Sequence, residues 1–284
     1  MACPNCGSKH TDLVFGVSVT KNAIATDLLR CNACDFLFLK EPSRWLDVAY
    51  QDSFYGDTGY MQRNLRMADF MELFLHILTM QGARSNSEVS CCDFGTGLGV
   101  FPRLMRDRGF DFQGTDVFAS MELIKPFIAR GLSFDVVTAF EVVEHMPSIG
   151  SLLDSFTASM PRVFIFSTVL RKAGFLPPRD WWYFAFSNGQ HISFHSEQSL
   201  HASLRSTGLD RYLLIDPELD LHAIVSTRLE AKAFKRAAFY FKVYSKFKSR
   251  LLRLRCKLRL ARPSLIWDDH KYALSLDEFY RQRN

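Results

Sequence analysis

The chain lacks the features that would place it in a membrane or outside the cell. No stretch approaches the roughly 18 uninterrupted apolar residues of a bilayer-spanning helix. The opening residues, Met1-Ala2-Cys3-Pro4-Asn5-Cys6, carry no basic segment followed by an apolar run, so no secretory signal is read and cytoplasmic residence is expected. No internal repeat and no low-complexity tract interrupts the chain. Acid is scarce in one place: from Arg228 to Arg262 thirteen Lys or Arg residues accompany a single acid, Glu230. The net charge of +5 is therefore a local surplus on an otherwise net acidic chain, and its explanation must be local.

The rest of the composition is ordinary. Hydrophobic residues make up 48% and charged residues 23% of 284 positions, which suits one full domain plus appended pieces and excludes wholesale disorder. The 26 phenylalanines point to a core dominated by aromatic packing.

Four parts are expected: a cysteine-bearing element at 1–40, a helical connector or lid at 41–84, an alternating strand–helix core at 85–227, and a basic amphipathic helix with a tail at 228–284. Leu13–Val19 reads as a strand. Leu65, Phe70, Leu73, Phe74, Ile77 and Leu78 recur at helical spacing, and Gly82–Ser87 reads as a loop. In the core, strands are expected at 89–94, 112–117, 134–140 and 163–168, with helices at 100–108, 123–130 and 149–160. Such alternation argues a parallel, doubly wound sheet, with 212–215 and 222–227 as a late antiparallel hairpin at its edge. In the last part Phe234, Ala238, Phe241, Tyr244 and Phe247 share one helix face.

Cys3-Pro4-Asn5-Cys6 and Cys31-Asn32-Ala33-Cys34 form two Cys-x-x-Cys pairs around a 24-residue spacer. Cytosolic thiols stay reduced, so paired cysteines point to metal and not to disulfide. Four thiolates suit a closed tetrahedral structural Zn²⁺ site on Cys3, Cys6, Cys31 and Cys34, with no open position for chemistry. Cys91 and Cys92 are expected in the core, and Cys256 is unassigned.

Asp93-Phe94-Gly95-Thr96-Gly97-Leu98-Gly99 lies between a strand and a helix. Such a turn lets backbone approach a ligand and aims helix N–H groups at it. The spacing is Gly-x-Gly-x-Gly, not the Gly-x-Gly-x-x-Gly of a nicotinamide fingerprint. Asp116, 23 residues past Asp93, ends the next strand, where an acid meets ribose hydroxyls. The set resembles the first motifs of class I S-adenosylmethionine-dependent methyltransferases. The resemblance implies that Asp93 meets the amino end of the methionine moiety, that Gly95, Thr96, Gly97 and Gly99 line the turn, and that Asp116 holds the ribose. Phe140-Glu141-Val142-Val143-Glu144-His145 is similar to the Glu-x-x-x-His element of the same class, implying Phe140 and Glu141 against the cofactor and His145 at the mouth of the cleft. Capping or packing is the competing role for His145. Only seventeen residues separate Asp116 from Phe134, where many members carry a further strand, so the adenine contact is unnamed beyond Val117 or Phe118 as flanking residues.

The run Asp180-Trp181-Trp182-Tyr183, then Gly189-Gln190-His191-Ile192-Ser193-Phe194-His195-Ser196, follows the fourth core strand and is expected to roof the site. Aromatics beside imidazoles suit sugar recognition. Here the chain resembles methyltransferases of glycan and lipopolysaccharide biosynthesis, which also carry an N-terminal four-Cys element and a stretch like Phe54-Tyr55. That resemblance implies methyl transfer to a sugar or glycan oxygen or carbon, on a free or lipid-linked acceptor. His191, His145 and Glu141 are the catalytic candidates, with His195 behind them. An RNA methyltransferase gripping its substrate through the zinc element and basic helix, and an inactive cofactor-fold interaction module, stand as alternatives. For the basic helix, packing on the core and contact with an anionic membrane surface are weighed equally, and nucleic acid is disfavoured. The expected fold is α/β: a Rossmann-like, doubly wound, mostly parallel sheet with an N-terminal zinc-ribbon-like element and a C-terminal basic helix.

Overall fold

The structure is a computed structural model that describes residues 1–19, 24–40, 58–82, 89–131, 133–156, 159–186 and 191–257, with position 271. Phe54, Tyr55, most of the expected Gly82–Ser87 loop, Gly189, Gln190 and nearly all of the tail beyond 257 lie outside the described residues.

The central sheet has the order β5-β4-β6-β7-β10-β9. Its parallel part comprises β4 (Cys91–Phe94), β5 (Phe112–Thr115), β6 (Val136–Ala139) and β7 (Val163–Ser167). The hairpin of β9 (Tyr212–Asp216) and β10 (Leu221–Val225) completes it, with β10 antiparallel to β7. Consecutive side chains alternate faces, and here both faces are dry. Cys91, Val136, Val163 and Ile165 pack on one side with α1 (Tyr60–Gly82), α2 (Val100–Asp107) and α5 (Arg228–Lys257). Cys92, Val137, Phe164 and Phe166 pack on the other with α3 (Ile149–Asp154) and α4 (Glu197–Ser206). A strand covered on both sides reads as an unbroken apolar run, which is why these strands were visible in the sequence.

Helix starts follow local chemistry. Ser148 caps α3 and Ser196 caps α4, each in a reciprocal exchange with the serine three residues on. The single acid of the basic stretch has the same role. Glu230 accepts from the Thr227 N–H at 2.8 Å, while its own N–H donates to Thr227 Oγ1. Arg162 pairs with its other oxygen at 2.8 Å.

Three expectations change. The helix expected over 149–160 ends at Asp154. The one expected over 123–130 is a kinked 3-10 segment, Glu122–Phe127, with Pro126 inside it, where proline cannot donate to a helical ladder. The apolar face of α5 is buried through Phe234, Ala238 and Phe241, but Tyr244 and Phe247 on the same expected face are exposed.

The N-terminal element is a second sheet, β1 (Thr11–Val19), β2 (Ile24–Cys31), β3 (Leu37–Leu39) and β8 (Ser193–Phe194), in that order. β8 comes from the stretch after the fourth parallel strand, so the cysteine-bearing element and the expected roof share one sheet. One face of it packs on Tyr183, Phe184, Ile192 and Phe194, the other on Cys3, Cys31, Cys34 and Phe36. Asn5 Nδ2 donates to the Ser199 carbonyl at 2.9 Å, tying the first knuckle to α4. Arg171, just past β7, pairs with the buried Asp35 at 2.9 Å.

Candidate active site

The carboxyl ends of β4, β5 and β6 meet where open α/β sheets bind ligands. Gly95, Gly97 and Gly99 have φ of 71°, 59° and 85°, the left-handed region that favours glycine. The strain-free alternation curls the backbone between strand and helix. A Cβ at Gly97 would meet only the Tyr60 hydroxyl at 3.3 Å, so the first residue of α1 stands over the open side of the turn.

Asp93 is buried at the end of β4 and accepts from Thr138 Oγ1 of β6 at 2.6 Å. Burial pushes its carboxyl up to about 7, against the Thr138 hydrogen bond that favours the ionised form. Asp116 directly follows β5 and points at the turn. Its Oδ2 accepts the Gly97 N–H at 2.8 Å, and its Oδ1 accepts the Phe118 and Ala119 N–H groups at 2.7 and 2.8 Å. Thr96 is buried within the turn, whereas Val117 and Phe118 are exposed beside it.

At the end of β6, Phe140 packs edge-on against Phe101 of α2 at 5.0 Å. Glu141 follows with φ 57°, a left-handed non-glycine conformation. It is held twice by Ser167 of β7, whose hydroxyl accepts its N–H at 2.7 Å and donates to its Oε1 at 2.8 Å. Arg63 of α1 approaches its other oxygen at 3.5 Å.

Three titratable groups converge next to it: the ligating atoms of Glu144, His145 and His191 all lie within 4.8 Å of one another. The His145 and His191 rings meet edge to face at 5.0 Å. His191 Nδ1 lies 2.6 Å from the Tyr183 carbonyl, which can only accept, so Nδ1 carries the proton and Nε2 keeps its lone pair. Burial holds the His191 imidazolium down at about 4, so the ring is neutral at neutral pH. Glu144 is fully buried; burial, then the neighbouring Glu141, raise its carboxyl well above the usual range. Tyr183 is buried too, its hydroxyl accepting the Val169 N–H at 3.1 Å, whereas Trp182 beside it is 73% exposed.

Thus His191 meets His145 and Glu144 across more than forty residues of sequence, with Glu141 close enough to act on Glu144. His195 does not join them: it is fully buried against Phe36 at 4.7 Å with Nδ1 near Ser199 Oγ, inside the N-terminal sheet's packing. Tyr60, Arg63, Thr138, Glu144 and Ser167 were missed. Glu144 was legible inside the quoted motif; nothing in α1's periodicity could have marked Tyr60 and Arg63, whose role depends on how that helix docks. Two concavities lie away from these groups, one between α1 and the start of α5 and one beside β1 and β2.

The four cysteines pass a geometric test for zinc. A tetrahedral ion with Zn–S near 2.3 Å needs sulfurs about 3.8 Å apart. Cys3 and Cys34 are 3.8 Å apart, Cys6 and Cys31 3.6 Å, and all four ligating atoms lie within 4.8 Å of one another.

A family described as a methyltransferase domain matches residues 61–213, more than half of the chain. The chain belongs to that methyltransferase-domain family. The match runs from α1 to β9 and takes in every group of the candidate site except the N-terminal residue of α1, Tyr60. No curated protein matches this methyltransferase-domain chain. Solved structures similar to it are distant. A Nostoc punctiforme protein described as an O-methyltransferase is 12% identical, with TM-score 0.39 over 58% of this chain and 59% of that one. An O-methyltransferase family 2 protein from Planctomyces limnophilus, in complex with apigenin, is 12% identical, with TM-score 0.37 over 49% of each chain. Magnesium protoporphyrin IX methyltransferase from Synechocystis, with bound S-adenosylhomocysteine, is 14% identical, with TM-score 0.35 over 64% of this chain and 91% of that one. This chain thus spans 59% and 49% of the first two proteins' lengths. Likeness this faint carries no argument about substrate.

Proposed function

We propose that the chain is an S-adenosylmethionine-dependent methyltransferase acting on a hydroxyl acceptor of the sugar or glycan class. The observation that carries the reading is convergence: the glycine turn, Asp116 and Glu141, with the Glu144–His145–His191 group beside it, meet at the carboxyl ends of three adjacent parallel strands.

The cofactor supplies an electrophilic methyl group on a sulfonium; the chain's residues do the rest. The turn's backbone admits the ligand closely. Asp93, ionising on the approach of an ammonium, would hold the amino end, and Asp116 would exchange part of its backbone hydrogen bonding for the ribose diol. Arg63, beside Glu141, is placed to receive a carboxylate. Gly95, Thr96, Gly97 and Gly99 line the turn, Phe140 and Glu141 close its β6 side, and Val117 or Phe118 flank the adenine.

Much of the acceleration in methyl transfer is positioning. A hydroxyl acceptor also needs a group to take its proton, and His191 Nε2, neutral and unprotonated, suits that, with His145 beside it. The exposed Trp182 offers a face for the C–H side of a sugar ring, and this supports a carbohydrate acceptor. Zn²⁺ on Cys3, Cys6, Cys31 and Cys34 would brace the sheet that carries β8 and has no part in the reaction.

The test is calorimetry with S-adenosylhomocysteine on zinc-loaded protein, followed by mass spectrometry of glycan acceptors incubated with labelled S-adenosylmethionine. Absence of binding would sink the reading; label on RNA but not on glycans would replace the acceptor class.

A further inference from the structure

The basic helix α5 has two faces, and the fold uses only one. Phe234, Ala237, Ala238 and Phe241 are buried, with Phe234 and Phe241 each packing against Phe70 of α1 at 5.7 Å. Two lysines on α5 still touch the body: Lys242 pairs with Asp216 at 2.8 Å and Glu218 at 3.1 Å, and Lys248 with Asp69 of α1 at 3.5 Å. Past Lys242 every described side chain is exposed apart from the half-buried Ser245, and the helix continues to Lys257. The nine residues after Lys248, at 1.5 Å each, project about 14 Å of helix.

The exposed side of α5 from Phe239 onward is not polar. Phe239, Tyr240, Val243, Phe247, Leu251 and Leu254 are all exposed, Phe247 by 65% and Leu254 by 51%. At about 100° per residue they fall within one arc about 120° wide, separate from the buried face. Lys246 and Arg253 lie just outside one edge of that arc, Arg250 lies just inside the same edge, and Lys248 lies beyond the other. No ion pair to Lys246, Arg250 or Arg253 occurs among the described residues. Unpaired cations cost a soluble surface little, but an exposed aromatic stripe costs solubility and calls for a partner.

We infer that α5 is a membrane-surface anchor, which lays this stripe into the interface of an anionic bilayer with its lysines and arginines on the phosphates. Charge complementarity selects this occupant. A second copy would bring two helices of like charge together, and nucleic acid would satisfy the cations but leave the aromatic stripe in water. An apolar arc edged by Lys and Arg meets both demands of a lipid interface. The inference stands whatever reaction the site performs.

The experiment is flotation of the full chain with phosphatidylcholine vesicles, with and without phosphatidylglycerol. Binding is expected to the anionic vesicles, to fall about fivefold for each of Lys246→Glu, Arg250→Glu and Arg253→Glu, and to fall at least tenfold in the double variant Phe247→Ser, Leu251→Ser. These side chains touch no core, so circular dichroism and S-adenosylhomocysteine affinity should match the parent protein. Phe247→Trp should shift its emission to the blue on anionic vesicles alone. Absence of vesicle binding, equal binding to neutral vesicles, or binding that survives Phe247→Ser, Leu251→Ser would overturn the inference. So would a stable dimer abolished by that pair, or an RNA oligonucleotide bound in place of vesicles.

Discussion

At the residue scale the site depends on burial setting protonation. Asp93 titrates near 4 in an unfolded chain and at about 7 in the fold. Between these values the native state holds the extra proton, so its contribution to stability is lost as pH rises through that window. Compared with Asp93→Asn, the parent protein is expected to lose a few kcal/mol of stability between about pH 4 and pH 7, measurable as diverging urea midpoints. Affinity for S-adenosylhomocysteine should climb through the upper end of this window in the parent and stay flat in the variant. Asp116→Ala should weaken that affinity at least tenfold, since it removes charge-assisted contacts as well as the brace on Gly97. His191→Ala is expected to lower kcat by about 10²–10⁴ with cofactor affinity unchanged, because the role proposed for its Nε2 is to take the acceptor's proton and not to hold the cofactor. An unchanged kcat would remove His191 from the chemistry.

At the scale of elements, patterns that depend on near neighbours were legible and those set by docking were not. The Cys-x-x-Cys pairs were read correctly as one cluster because knuckle geometry is local. That β3 would pair with β8, some 150 residues away, was not readable: two residues, Ser193 and Phe194, carry no periodicity. With zinc on the four cysteines, as proposed, this pairing would give metal removal a remote effect. Trp181 packs edge-on against Phe184 at 5.1 Å and against Phe194 at 6.2 Å, on the N-terminal sheet. Chelating zinc is expected to red-shift tryptophan emission in the parent protein, and much less in Trp181→Phe, while α5 stays helical by circular dichroism. The helix α5 shows the converse limit: its helical spacing was plain, but which half would be covered depended on how α1 docks across it, through Phe70 against Phe234 and Phe241.

At the scale of the whole molecule two sheets share one chain segment, and a buried ion pair fixes the join. Burial opposes ionisation of Asp35, but the Gly174 N–H, Arg171 and Arg30 outweigh it and keep the carboxyl below the ordinary range. Both charges are out of water, so removing one strands the other. Asp35→Asn is expected to cost about 3–5 kcal/mol, visible as a melting temperature lower by roughly 10 °C. The pair's contribution is present at neutral pH and lost as pH falls through the depressed Asp35 value, since the native carboxylate is the stabilised form. Replacing both Asp35 and Arg171 by apolar residues should recover much of the loss, which would separate stranded charge from lost packing.

Sequence alone determined the local features of this protein: the glycine turn with Asp93 and Asp116, the four-cysteine cluster, the parallel strands and the basic helix. Each rests on short-range physics, namely left-handed glycines, a knuckle's reach, strands dry on both faces, and helical periodicity. Tertiary structure alone decided that His191 meets His145 and Glu144, that Arg63 meets Glu141, that Asp35 meets Arg171, and that half of α5 lies bare. These depend on how distant elements dock, and docking is set by side-chain packing summed over the whole core, which no local pattern encodes.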